Sequence, residues 1–252
     1  MVTKIKSGAL TGIDGLAVMV EVDICRGLPG FYLVGLPNAE VKESRQRVLA
    51  ALRNSGVKLP PGKITVNLAP AGVRKEGASF DLAIAMGVMA ARGSSLHKKC
   101  LHPGETPLFL GELSLFGQLQ PVRGLLAMVL AAAERGDRLV IVPASQAWEA
   151  ALARGVRVVG AKNLSDVIHW WETGQEPLLV KPAPSGLSKV KPGTPHNMLG
   201  LSGQPSLLKA AVVAVAGRHN ILMAGPPGTG KTRLARIMGA NQALLNTDEA
   251  LE

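Results

Sequence analysis

Asn220-Ile-Leu-Met-Ala-Gly-Pro-Pro-Gly-Thr-Gly-Lys-Thr232 is the stretch from which the rest of the chain can be read. An apolar run, Ile221 to Ala224, stops at Gly225, and a helix-forming segment begins at Lys231. A strand, a glycine-rich turn and a helix in that order are the context in which GxxxxGK[ST] is a phosphate-binding loop. Gly225, Gly228 and Gly230, with Pro226, Pro227 and Thr229 between them, let the backbone curl so that successive N–H groups point into one concavity. The helix that starts there adds its unpaired N–H groups and a partial positive charge. Lys231 is expected to reach the β- and γ-phosphates of a nucleoside triphosphate, and the Thr232 hydroxyl to ligate Mg²⁺. ATP with Mg²⁺ is therefore the expected ligand.

Only twenty residues follow Thr232. Asp248-Glu249 comes after Leu244-Leu-Asn-Thr247, a run too short and too polar for the strand that carries a second metal-holding carboxylate. The expectation is a chain truncated inside its P-loop domain, with negligible ATP hydrolysis of its own because that carboxylate and an arginine finger are needed for turnover.

The bulk composition sets the frame for this site. The chain has 252 residues, 47% of them hydrophobic and 18% charged, which suits one or two globular domains. Aromatics make up 3%, so aliphatic side chains must fill the core. The formal charge is +10, of which residues 1–177 and residues 178–252 each supply +5, so the excess is denser in the shorter part. Such a balance favours polyanionic partners, nucleic acid first, without sequence preference. The two cysteines, Cys25 and Cys100, are far apart and fit no CxxC spacing. With no signal-like or membrane-length apolar run, the expected location is cytoplasmic, with no membrane partner.

Outward from the loop, residues 1–176 read as one α/β domain. Leu16–Ile24 and Phe31–Val34 read as strands, and Asn38 caps a helix from Ala39 to Asn54 that Gly56 stops. Val41, Val48, Leu49 and Leu52 form its apolar stripe, with Lys42, Arg45 and Arg53 facing away. Lys63–Ala69 reads as a strand, and Ser79 to Ala91 as a buried helix. The segment with His97, Cys100 and His102 reads as a basic loop, since its spacing matches no common metal site. Leu108–Leu110 and Leu113–Phe116 look strand-like, followed by helices at Gly124–Arg135 and Ala144–Ala153 around a strand at Arg138–Val142. Val156–Val159 reads as a strand, and Asn163 caps a last helix carrying Trp170 and Trp171. Residues 177–198, with five prolines and three lysines, read as an extended linker, and 199–252 as the start of the P-loop domain. Those lysines suit either a solvated tether or contact with a phosphate backbone.

Two separate stretches carry a resemblance. Gly35-Leu-Pro37-Asn-Ala-Glu-Val-Lys-Glu-Ser-Arg45, Ile64-Thr-Val-Asn-Leu-Ala-Pro70, Lys75-Glu-Gly77 and Phe80-Asp-Leu82 resemble the N-terminal domain of magnesium-chelatase-like AAA+ ATPases of the ComM/YifB type. Gly200-Leu-Ser-Gly-Gln204 and Gly217-Arg-His-Asn220, ahead of the P-loop, resemble the beginning of that family's AAA+ module. The resemblance implies a Lon-protease-like fold for the first domain, followed by a truncated AAA+ α/β domain, and a hexameric ring of copies in the whole protein. It implies the N-terminal portion of a DNA branch-migration helicase, acting in recombination of DNA taken up in natural transformation. The alternative is the ATPase subunit of a metal-chelatase-like complex acting on a protein partner, with the first domain a non-proteolytic interaction module.

Lon-like kinship raises the question of peptidase activity. Lon-type proteases use a serine activated by a lysine. The resemblance puts Ser79, in Glu76-Gly-Ala-Ser79-Phe-Asp81, at the serine position, and Leu126, after Pro121-Val-Arg-Gly-Leu125, at the lysine position. A leucine cannot accept the serine proton, so no catalytic residue is expected within this chain and Ser79 is expected to cap its helix. No aromatic residue is interleaved with lysines along the sequence, so a nucleic-acid stacking surface is not legible in it.

Overall fold

The structure, a computed structural model, describes residues 2–59, 61–72, 75, 77–94, 101, 105–175, 179–180, 205–243 and 249. The chain divides into two compact units, Met1–Ala183 and Pro184–Glu252. The loop with His97, Cys100 and His102, and the proline-rich stretch from 181 onward, lie outside the described residues.

The first unit is built on one eight-stranded mixed sheet. In chain order its elements are β1 (Thr3–Thr11), β2 (Asp14–Cys25), β3 (Gly30–Val34), α1 (Ala39–Asn54), β4 (Lys63–Ala69), α2 (Asp81–Ala91) and β5 (Pro107–Phe109). A two-strand hairpin, β6 (Glu112–Leu113) and β7 (Leu119–Gln120), precedes α3 (Leu125–Glu134), β8 (Leu139–Pro143), α4 (Ala147–Ala150), β9 (Arg157–Ala161), α5 (Leu164–Thr173) and β10 (Leu179–Val180). The large sheet runs β10-β9-β8-β5-β1-β2-β4-β3. Its centre and one edge are parallel (β1 with β5, β5 with β8, β8 with β9, β3 with β4), and β1–β2, β2–β4 and β9–β10 are antiparallel.

Consecutive residues of β5, β8 and β9 go to opposite faces, and both faces are covered. Phe109, Ile141 and Val159 join the core under α1, α2 and α5, whereas Leu108, Val140 and Val158 join the core under α3 and α4. Strands buried on both sides need continuous apolar runs, which explains why Leu139-Val-Ile-Val142 does not alternate. Helix α2 is the hub of the first core, with every residue from Asp81 to Met89 buried. On the other face α3 lies directly on the β1–β2 hairpin. A Cβ on Gly15 would come within 2.5 Å of the Ala127 carbonyl oxygen, so glycine is what lets helix and strand approach.

Asn38 caps α1 as the sequence suggests, its Oδ1 accepting the Val41 N–H at 2.9 Å, and Val41, Val48 and Leu52 are fully buried. Four expectations change. Ser79 does not cap α2; the helix starts after Phe80 with no side-chain cap, because the Ser79 hydroxyl is used elsewhere. The expected helix Ala144–Ala153 is a single 3-10 turn, Ala144–Gln146, followed by the four-residue α4. Gln146 sets this, since its amide holds both the N–H and the carbonyl of Val122, at 2.7 and 3.0 Å. The strand expected at Leu113–Phe116 ends at Leu113, because Ser114 closes a turn: its carbonyl accepts Gly117 N–H and its hydroxyl accepts Gln118 N–H. Finally, Leu179 and Val180, within the stretch read as linker, pair with Val159 and Val158 as an edge strand.

One buried ion pair ties the first core together. Asp81 is fully buried at the start of α2, and its carboxylate accepts from Arg47 of α1 (Nε to Oδ2 2.6 Å, Nη2 to Oδ1 3.2 Å) and from the Leu113 N–H of β6 (3.2 Å). Burial pushes the Asp81 carboxyl up from its ordinary value, against the pull of the Arg47 guanidinium and the Ser44 hydroxyl. Removing one partner strands the other charge in the interior. Asp81→Ala is therefore expected to cost about 3–5 kcal/mol in urea denaturation, and the double variant Arg47→Met/Asp81→Leu clearly less than the single one.

Candidate functional site

The second unit contains α6 (Pro205–Gly217) and α7 (Lys231–Ala240), with the P-loop between them. Leu234 and Met238 of α7 bury against Ala211 and Ala214 of α6. Between the helices, Ile221 and Met223 lean on this cluster while Leu222 is 96% exposed, the alternation of an extended segment. The strand expected at Ile221–Ala224 is extended but makes no ladder among the described residues, since no strand lies beside it there.

The turn itself is where the glycines matter. Gly225, Gly228 and Gly230 have φ values of 157°, 83° and 85°, in a region L side chains rarely enter. Gly230 is the N-cap of α7, and Lys231 and Thr232 are its first two residues, with Thr232 exposed. Lys231 Nζ folds back over the loop and donates to the carbonyls of Gly225 (2.8 Å) and Pro226 (2.7 Å) and to Thr229 Oγ1 (3.2 Å). Thr229 Oγ1 in turn donates to the Pro226 carbonyl at 3.0 Å. The arrangement therefore gathers an ammonium, the free N–H groups of a helix start and an adjacent hydroxyl at one turn, a donor set that fits phosphate oxygens and a metal bound to them. At the end of α6, Arg218 holds Glu249 in a forked pair (2.6 and 3.2 Å), which raises the guanidinium pKa.

A second site lies in the first unit. A cleft of about 820 Å³ opens between α1, the loop before α2 and the start of α3. Ser79 lines it, together with Asn38, Glu43, Arg47, Glu112 and Arg123. The structure thus places the sequence-singled serine in a real cavity. Yet its hydroxyl donates to the Gly8 carbonyl of β1 at 2.9 Å, and it is 5% exposed. Among the described residues the lining holds no lysine or histidine, and Leu126, at the position expected for an activating lysine, is not part of it. Lys75, near in sequence, is fully buried and donates to the Pro70 carbonyl, and burial lowers its pKa from the usual lysine range. Neither Arg47's hold on Asp81 nor the anchoring of Ser79 on β1 was legible from spacing. The sequence signals were that Phe80-Asp-Leu82 falls in a motif of the resemblance and that Ser79 stands at its serine position, whereas Arg47 lies just outside the Gly35–Arg45 motif.

Among the described residues no helix is long and apolar enough to cross a membrane, and no group of His, Cys, Asp or Glu is arranged to hold a metal ion.

Comparison with known sequences bears on both units. The family described as subunit ChlI of Mg-chelatase matches residues 20–146, and the family described as magnesium chelatase, subunit ChlI, matches residues 197–252. The competence protein ComM of Haemophilus influenzae is 40% identical over 236 residues, 92% of this chain and 45% of that protein. The uncharacterised protein YifB of Escherichia coli K12 is 38% identical over 244 residues, 97% of this chain and 46% of that protein. A Lon protease of Trichlorobacter lovleyi is 28% identical over 199 residues, 74% of this chain and 23% of that enzyme. The chain spans about half the length of the ComM and YifB relatives.

Ser79→Ala removes one buried hydrogen bond and leaves the Gly8 carbonyl without that donor. It is expected to lower stability by about 1 kcal/mol, read from the urea midpoint, with an unchanged circular dichroism spectrum.

Proposed function

The chain belongs to the magnesium-chelatase ChlI-like family of the ComM/YifB type, with a Lon-like N-terminal domain, and from that premise we propose that it is the ATP-binding front half of a ring-forming motor that works on DNA. The observation that carries the nucleotide part is the turn from Gly225 to Thr232 closing on the first residue of α7. Backbone N–H groups of Thr229, Gly230 and Lys231 would hold the phosphates, the Lys231 ammonium would leave the loop carbonyls for the β- and γ-phosphates, and the Thr232 hydroxyl would take the Mg²⁺. The metal ion, when bound, neutralises charge between the phosphates. In the whole protein, copies assembled as a hexamer would complete each nucleotide site from a neighbour, and the motor would act in the reducing cytoplasm.

DNA as the substrate is supported by the charge balance of +10, spread over both parts of the chain. Branch migration during recombination of DNA taken up in natural transformation is the specific role we propose. The competing reading, a chelatase-type motor acting on a protein partner, draws on the family description alone and requires no salt-dependent DNA binding. The first domain we take as non-proteolytic, in keeping with a serine hydroxyl committed to a backbone carbonyl.

Three measurements test this. Binding of a fluorescent ATP analogue with Mg²⁺ is expected to weaken at least tenfold in Lys231→Ala; unchanged binding would remove the site assignment. The affinity for forked and single-stranded DNA, read from fluorescence anisotropy, is expected to fall linearly on a log–log salt plot. Flat, negligible binding at low salt would favour the protein-partner reading. Peptide hydrolysis lost in Ser79→Ala would overturn the non-proteolytic assignment.

A further inference from the structure

Strand β3 is the outermost strand on one side of the large sheet. Its parallel pairing with β4 decides which of its backbone groups are used. The Gly30 N–H donates to the Gly62 carbonyl at 3.3 Å, so Gly30, Tyr32 and Val34 turn their N–H and carbonyl groups toward β4. Alternate residues of a strand point these groups to opposite sides. The N–H and carbonyl groups of Phe31 and Leu33 therefore point out from the sheet, and among the described residues none bonds them there.

An open edge is a template for another strand, and folded proteins blunt it with charges, prolines, bulges or a very short strand. At the opposite end of the sheet, β10 is two residues long. β3 has five residues, Gly-Phe-Tyr-Leu-Val, and none of these devices within it. It also lies in a run of thirteen residues, Gly27 to Ala39, without a charged side chain, in a chain of formal charge +10. Phe31 is buried in the core, whereas Tyr32 and Val34 are 52% and 45% exposed. The Tyr32 ring lies back along its own strand, since a Cβ on Gly30 would fall 2.7 Å from Tyr32 Cε2. Lys63 of β4 holds it there, with Nζ 4.6 Å from the ring centroid.

These features make the edge complementary to itself. Two copies of β3 related by a two-fold axis at Tyr32 pair antiparallel, with Phe31 opposite Leu33 of the second copy. That register satisfies every outward N–H and carbonyl of both residues on each copy. It sets Tyr32 across from Tyr32 of the second copy as a non-hydrogen-bonded pair, where side chains are closest. Gly30 falls opposite Val34, and the ring lying over Gly30 offers that valine an apolar surface. The two Lys63 residues then stand on backbones about 14 Å apart, three strand spacings, beyond the screening length of about 8 Å at physiological salt. Pro29, which lacks an N–H, and Gly35, at φ 102°, end the ladder on either side.

We propose that β3 is a two-fold contact between copies of this chain, joining their sheets edge to edge with Tyr32 at the axis. A second copy is favoured over a foreign strand because the edge carries no charge by which to select one, and its own sequence supplies the match of Gly30 with Val34. The contact is independent of the nucleotide and DNA readings. Being isologous, it closes no ring and would link copies belonging to two rings.

The test is sedimentation velocity of the 252-residue chain over a concentration series, with hydrogen exchange at low and high concentration. A concentration-dependent doubling of mass is expected, with exchange of the Phe31 and Leu33 amides slowed in the dimer. Tyr32→Lys sets like charges across the axis and removes the aromatic pair. It is expected to weaken association roughly tenfold, with an unchanged circular dichroism spectrum. In a Cys25→Ser/Cys100→Ser background, Tyr32→Cys is expected to form a disulfide between copies on mild oxidation, because directly opposed residues come within its reach. Val34→Cys in the same background, opposite Gly30, is expected to form none. Cross-linking through Val34→Cys and not Tyr32→Cys, or association that Tyr32→Lys leaves unchanged, would overturn the proposal. So would a chain that stays monomeric throughout the series. Slowing of the Phe31 and Leu33 amides only by an added Thr-Val-Thr-Val-Thr peptide would make the edge a site for a foreign strand and overturn it as well.

Discussion

The carboxylate of Asp81 sits where three elements meet, and the first unit is arranged around keeping it satisfied. It is fully buried, so its charge can persist only with the Arg47 guanidinium and the Leu113 N–H on it. Through those bonds α1, α2 and the β6–β7 hairpin are held in one relation. The walls of the serine cleft, which include Arg47 and Glu112, inherit their positions from the same contacts. So does the exposed turn of the hairpin, one strand further on.

Helix α2 could be buried on every side only because the sheet beneath it and α1 beside it are apolar to match. Its residues carry almost no amphipathic pattern, in keeping with a central helix rather than a surface one. The opposite face solves the same problem differently, with α3 brought onto the backbone at Gly15. The sheet of this Lon-like domain is thus packed on both faces. At Ser79 the hydroxyl is committed to the Gly8 carbonyl, and the residue at the expected lysine position, Leu126, is not among those lining the cleft. Architecture and chemistry are separable in this fold, because the packing that forms the cavity does not depend on a proton acceptor standing in it.

In the second unit the forces are more local. A helix start, left-handed glycines and a lysine one residue into the helix form the turn with little help from distant residues. The ammonium bonds carbonyls of the very loop it belongs to, within six residues along the chain.

Local signals therefore determined what the sequence alone could settle. The P-loop turn, the Asn38 cap on α1, the limits of β4 and the doubly buried β8 rest on contacts between near neighbours or on the residue pattern of one element. The family motifs, including Phe80-Asp-Leu82, were readable in the same way, and they carried the fold class with them. Tertiary structure decided the rest. The Ser79 hydroxyl finds its acceptor 71 residues away, and Arg47 meets Asp81 across 34 residues. Gln146 shortens a helix by bonding Val122, and Leu179–Val180 becomes a strand only because β9 offers an edge. A buried or displayed polar group is defined by its partner, and where that partner comes from another element, only the packing of the sheet and helices determines which it is.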